Sequence, residues 1–174
     1  QTCALPIWNP NAERILVEHF NHRFLSVEGC ASSSKTRTMA VIAYFDWLAS
    51  PHNTKILITS TTLKDAKGRV WGDIELVHQH AGEYFFNLNT QMGRKLKSWE
   101  EALPGELVSS QGFIRWRVGD KSSDKFGLVL ISGDKGKATE GVGKIKGFKS
   151  HRMGVMLDEL ADMPHQIVKA IETN

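Results

Sequence analysis

Residues 24–36 read Phe24-Leu25-Ser26-Val27-Glu28-Gly29-Cys30-Ala31-Ser32-Ser33-Ser34-Lys35-Thr36. A short apolar run passes into a loop of small residues, and a Lys-Thr pair then opens a helical stretch. The spacing is that of a phosphate-binding loop, G-x-x-x-x-G-K-[ST], with Ser34 standing where the second glycine is expected. Such a loop points successive backbone N–H groups inward at an anion, and the helix behind it adds its positive end. The small side chains at Ala31, Ser32, Ser33 and Ser34 let the backbone approach closely. Gly29 to Ser34 are therefore the expected phosphate cradle. Lys35 is placed for the β- and γ-phosphates of ATP, and the Thr36 hydroxyl for Mg²⁺. The plainer alternative is a serine-rich turn before a helix.

The context extends the pattern. Thr38 to Leu48 is apolar enough for a buried helix and closes before Pro51. Lys55 to Ser60 predicts a buried parallel-type strand, and Asp65 to His80 a helix stopping near Gly82. Residues 84–88 suggest a short strand, and 92–103 a short helix. Two further strands are expected at 113–118 and 126–132, separated by a polar turn over 119–125. The run Met153 to Leu157 leads directly into Asp158-Glu159. Strands at 24–28, 55–60, 127–132 and 153–158 with helices between them predict an α/β fold, a mostly parallel sheet with helices on both faces. At the carboxyl end of the last strand, Asp158 is placed to hold the Mg²⁺ shell. Glu159 is placed to polarise the attacking water. Lys35 and Glu159 are thus the expected catalytic pair, and Thr36 and Asp158 the expected metal ligands.

Composition bounds the reading. The 174 residues are 41% hydrophobic and 24% charged, ordinary for one globular domain. No apolar run is long enough to span a bilayer, and the first residues lack the marks of a signal peptide. Cys3 and Cys30 make no disulfide framework, so both are expected reduced, in an intracellular protein. His19 and His22 have helical spacing, but nothing nearby completes a metal set. Trp8 and Pro6 lie where an adenine could stack, with packing of the N-terminal arm the simpler account.

The two motifs together resemble the large terminase subunits of tailed phages. Val27 to Thr36 is similar to that family's variant phosphate loop. Gly143-Lys144-Ile145-Lys146-Gly147-Phe148 followed by Val155 to Ala161 is similar to its approach to the acidic motif. The resemblance implies a phosphate-loop ATPase of the RecA-like (ASCE) type that drives viral double-stranded DNA into a capsid. It implies ATP and Mg²⁺ as cofactors, and Lys35, Thr36, Asp158 and Glu159 in the roles argued above. It further implies a portal and a small terminase subunit as partners, a homo-oligomeric motor, no membrane, and the cytoplasm of an infected bacterial host. Against the family pattern, residues 1–174 read as a single ATPase domain ending before the coupling motif and the nuclease domain. The arginine that would touch the γ-phosphate is left open among Arg37, Arg94, Arg115, Arg117 and Arg152. A helicase-like nucleic-acid ATPase and a nucleotide-binding module without turnover are the alternatives.

The charge is unevenly spread. Arg115 to Arg152 holds ten cations against four anions, a surplus of six, while the whole chain carries +3. Five glycines between 133 and 147 suggest a mobile cationic loop. Lys135, Lys137, Lys144 and Lys146 are its candidate contacts to DNA phosphates. Contact with a neighbouring subunit and plain solvation are the alternatives.

Overall fold

The computed structural model describes residues 10–28, 34–133, 138–147 and 149–173. Helix α1 (Pro10–Asn21) leads to α2 (Lys35–Leu48), then strand β1 (Thr54–Ser60). A short helix α3 (Leu63–Ala66) runs through a π-type turn (Lys67–Trp71) into α4 (Gly72–Gln91). Strands β2 (Gly105–Val108), β3 (Phe113–Val118) and β4 (Lys121–Ser132) follow, then α5 (Ala138–Gly147), β5 (Arg152–Leu157) and α6 (His165–Glu172).

The five strands form one sheet in the order β2-β3-β4-β1-β5. β1 lies inside it, parallel to both β4 and β5. Every residue of β1 is buried, as expected of a strand covered on both faces. Ile56 and Ile58 turn to one side, into a core with Tyr44 and Trp47 of α2, Val70, Trp71, Ile74, Ile114 and Leu128. Leu57 turns to the other and meets Ile131, Ile145, Ile167 and Ala170. The period-two alternation of a strand thus divides one apolar run between two cores. Helices cover both faces, as the sequence predicts.

Several expectations are corrected. The sheet is mixed rather than mostly parallel, because β2–β3 and β3–β4 are antiparallel. Val118 pairs with Lys121 across Gly119-Asp120, and Gly119 has φ 59°. A two-residue connection can only return the chain antiparallel. The polar turn over 119–125 is accordingly two residues long, and the rest of that stretch begins β4.

Residues 24–28 form no strand. They have no rung in the sheet, and Phe24 is 73% exposed. A strand exists only where a neighbour satisfies its backbone.

Gly82 does not end a helix, and 84–88 is not a strand, since α4 runs on to Gln91. The glycine is a packing notch: a Cβ there would sit 2.2 Å from Trp99 Cε3. Asn89 donates to the carbonyl of Phe85 and Thr90 to that of Phe86, binding the last turns together. The expected helix over 92–103 reduces to one tight turn, Trp99–Ala102.

The glycine- and lysine-rich stretch is helical over Ala138–Gly147. Ile145 is fully buried in the second core, with Val142 packed against it, so this part is an anchored element rather than a loop.

Candidate functional site

The site forms where the carboxyl ends of β1 and β5 meet the first turn of α2. Parallel pairing carries β1 and β5 side by side from Thr54/Arg152 to Thr59/Leu157. The next residue, Asp158, donates its N–H to the Thr59 carbonyl at 2.9 Å. The carboxylate is therefore fixed by the sheet itself. Opposite it, Lys35 and Thr36 open α2 and are half-buried. The Thr36 hydroxyl donates to Asp158 Oδ1 at 3.4 Å, joining residues 122 positions apart.

One of the two Asp158 carboxylate oxygens lacks a partner. That oxygen, Oδ2, is buried and has no hydrogen-bond partner among the described residues. Burial raises the Asp158 pKa above the usual carboxylate value, and the neighbouring Glu159 charge raises it further. Arg69 and the Thr36 hydroxyl oppose the rise. A hard cation would relieve this directly, since Mg²⁺ takes oxygen ligands and commonly uses only one or two protein groups beside water and phosphate. Asp158 and Thr36 fit that role. Among the described residues no set of three His, Cys, Asp or Glu gathers into a metal-binding group. His22 instead pairs with Glu18 at 3.1 Å.

Glu159 finds its partners in the segment that follows β1. Its Oε2 accepts from the Thr61 hydroxyl at 3.0 Å, and its Oε1 forms an ion pair with Arg69. Among the described residues, only two that are not glycine have positive φ: Ser34, at 60°, and Glu159, at 57°. Each stands at one of the two sequence motifs. Ser34 adopts the left-handed backbone that suits the glycine expected there, at a cost of about 1–2 kcal/mol for a residue with a side chain. Such strain gathers at functional sites.

Lys35 also lines a cavity of about 640 Å³. Asn11, Arg14, Ile15 and Glu18 of α1 and residues 24–28 form the remaining walls, with His22. Leu25 and Val27, expected on a strand, thus contribute to a cleft beside the lysine.

Several expected residues lie outside the described residues: Gly29, Cys30, Ala31, Ser32, Ser33, Lys135 and Lys137, together with Cys3, Pro6 and Trp8. Lys144 and Lys146 fall on α5, and Lys146 is exposed. Among the five arginines left open, Arg115 pairs with Glu106 at 2.8 Å and Arg117 with the same carboxylate at 3.4 Å. Arg152 pairs with Asp46, and Arg94 donates to Asn89 at 3.2 Å. Arg37 is exposed on α2. The arginine at the acidic motif is Arg69, which no sequence pattern marks. It arrives because the helix leaving β1 turns back past the strand's carboxyl end. No protein-family model, curated protein or solved structure matches the chain. No helix among the described residues is long and apolar enough to cross a membrane.

Proposed function

We propose that the chain is the core of a Mg²⁺-dependent ATPase of the phosphate-loop class. More particularly, we propose a DNA-translocating motor ATPase of the large-terminase type. The observation that carries the first step is the Thr36–Asp158 contact with the orphaned Asp158 Oδ2 beside it. A threonine at the head of a helix and an aspartate at the end of a distant strand converge on one point, leaving a buried carboxylate oxygen for a cation. The left-handed Ser34 supports the same reading. The second step rests on the likeness of the two motifs to that family.

In this reading Lys35 and the backbone from Gly29 to Ser34 hold the ATP phosphates. Thr36 and Asp158 hold the Mg²⁺, which when bound neutralises charge developing on the phosphates. Glu159 takes a proton from the attacking water as general base. The cleft lined by α1 and residues 24–28 is large enough for the remainder of a nucleotide. Lys135, Lys137, Lys144 and Lys146 are the proposed contacts to the phosphates of duplex DNA. In an infected bacterial cell such a motor works as a homo-oligomer with a portal and a small subunit.

Titration calorimetry with Mg-ATP tests the binding site. Lys35→Ala should weaken affinity by about 10- to 150-fold, the loss of one charge-assisted contact. Glu159→Gln should bind ATP normally but hydrolyse it at least about 100-fold more slowly. Unchanged affinity in a folded Lys35→Ala variant refutes the assignment of the loop.

A further inference from the structure

Ser60 closes β1 and is wholly buried. Its hydroxyl has no hydrogen-bond partner among the described residues, and neither has Asp158 Oδ2. The sheet register brings these two groups together. Thr59 pairs with Leu157, and the Asp158 N–H donates to the Thr59 carbonyl, so the ladder runs one step on and sets Ser60 beside Asp158. The pleat turns both the same way. Ile58 and Met156, two residues earlier on each strand, both meet the core under α2, and side chains two apart in a strand share a face. Thr36 comes from α2 on that side and takes the other Asp158 oxygen. We propose that Ser60 and Asp158 grip one water molecule between them, and that through this water the strand ends hold the hydration shell of a divalent cation. This rests on the reading of Thr36 and Asp158 as the Mg²⁺ site.

A donor and an acceptor left bare side by side in a buried place suit a water molecule, since buried waters sit where they satisfy otherwise unpaired polar groups. The Ser60 O–H donates to the water oxygen, and the water donates to Asp158 Oδ2. The water's second lone pair then remains for a cation. Mg²⁺ keeps several waters when a protein binds it, so a water gripped from behind is a preformed part of that shell. Thr54 supplies the contrast within the same strand. It too is buried with an unpartnered hydroxyl, on the same face of β1. It lies six residues from Ser60, about 20 Å along the strand, and its register partner on β5 is Arg152 rather than a carboxylate. A bare buried hydroxyl is therefore not enough, and the neighbouring carboxylate distinguishes Ser60. Ser60 is a positioning residue, acting through the water and Asp158.

The clamp can be read without turnover. Calorimetric titration of ATPγS, first in EDTA and then in saturating Mn²⁺, gives the factor by which the cation tightens nucleotide binding. Mn²⁺ stands in for Mg²⁺ because both favour six oxygen ligands. In Ser60→Ala the factor should fall about two- to tenfold, the worth of one hydrogen bond, with the affinity in EDTA unchanged. Ser60→Thr keeps a hydroxyl and should restore the factor, and Thr54→Ala should leave it at the wild-type value. If wild type shows the factor and Ser60→Ala retains it in full, the clamp is wrong and the ATPase reading stands. An equal loss in EDTA and in Mn²⁺ also overturns the clamp, because Ser60 would then be supporting the shape of the site. A wild type that binds ATPγS no tighter with Mn²⁺ than without it refutes the cation site, and the clamp falls with it. Ser60→Cys keeps the side-chain volume and makes only weak hydrogen bonds, so it repeats the test if the alanine variant does not fold.

Discussion

Acidification from about pH 7.5 to about pH 5 should cost the fold roughly 2 kcal/mol at one residue, His78. Its ring is fully buried, with Nδ1 hydrogen-bonded to the Tyr44 hydroxyl at 2.9 Å. Nε2 has no partner among the described residues. Tyr44 and Trp99 flank the ring edge-on, each with centroids 5.7 Å away. A second, charged N–H would find no acceptor there, and burial lowers the pKa from 6.5 to about 4, with Glu100 offsetting it only in part. The unfolded chain therefore binds the proton first. The His78 contribution is complete above pH 6.5 and drains as the pH falls toward 4. The full gap is worth about 3.4 kcal/mol at 1.36 kcal/mol per pKa unit, and some 2 kcal/mol of it has gone by pH 5. Urea unfolding of wild type and His78→Gln at the two pH values isolates the effect, because glutamine does not titrate and can still reach Tyr44. The variant should lose about 2 kcal/mol less than wild type over the same interval. Equal losses in the two proteins would refute the reasoning. The effect bears on the site, since Tyr44 lies on the helix that begins with Lys35 and Thr36 and fastens it to α4.

Other expectations follow from single positions. Ser34→Gly should raise stability by up to about 1 kcal/mol in urea unfolding, because relief of the left-handed backbone outweighs the extra freedom of the unfolded chain. Calorimetry should find Mg-ATP affinity unchanged. Gly82→Ala, which raises helix propensity, should instead destabilise by about 1–3 kcal/mol in the same assay, since the new Cβ meets the Trp99 ring. Neutralising Lys135, Lys137, Lys144 and Lys146 together should weaken duplex DNA binding equally for all sequences. It should also flatten the log–log salt dependence by close to one unit per lost phosphate contact. An unaltered slope with ATP binding intact would assign the lysines to another role.

Legibility in the sequence followed the range of the interactions. The buried run 55–60 and the helix carrying Lys35 were plain, because burial on all sides leaves a continuous apolar signature. Asp158-Glu159 stands out because an acidic pair directly after such a run is a local pattern. The reason for Gly82 is not local, since it is a tryptophan seventeen positions later in the chain. The antiparallel half of the sheet is hidden because the two-residue turn at Gly119-Asp120 lies in a polar stretch that reads as a longer loop. Residues 138–147 read as a loop because three glycines and two lysines mask a periodicity carried by Val142 and Ile145 alone. Arg69 had no local signal at all. Its partner lies ninety positions away, and only the return of the helix after β1 brings them together.

The joint at Gly133 has a consequence for how this chain can vary. Its N–H donates to the Ser60 carbonyl at 2.9 Å, and a Cβ there would lie 2.5 Å from that same oxygen. Any side chain must push the end of β4 off β1, against backbone that cannot swing aside. In a saturation library, position 133 should therefore be emptied as thoroughly as the core, although it sits at the start of a connection where substitutions are normally tolerated. The lysine-rich segment beyond it can drift in sequence, but its point of departure cannot. Divergent copies of this chain should keep the carboxylates and the origin of the cationic segment in a common frame while the lysines themselves change place.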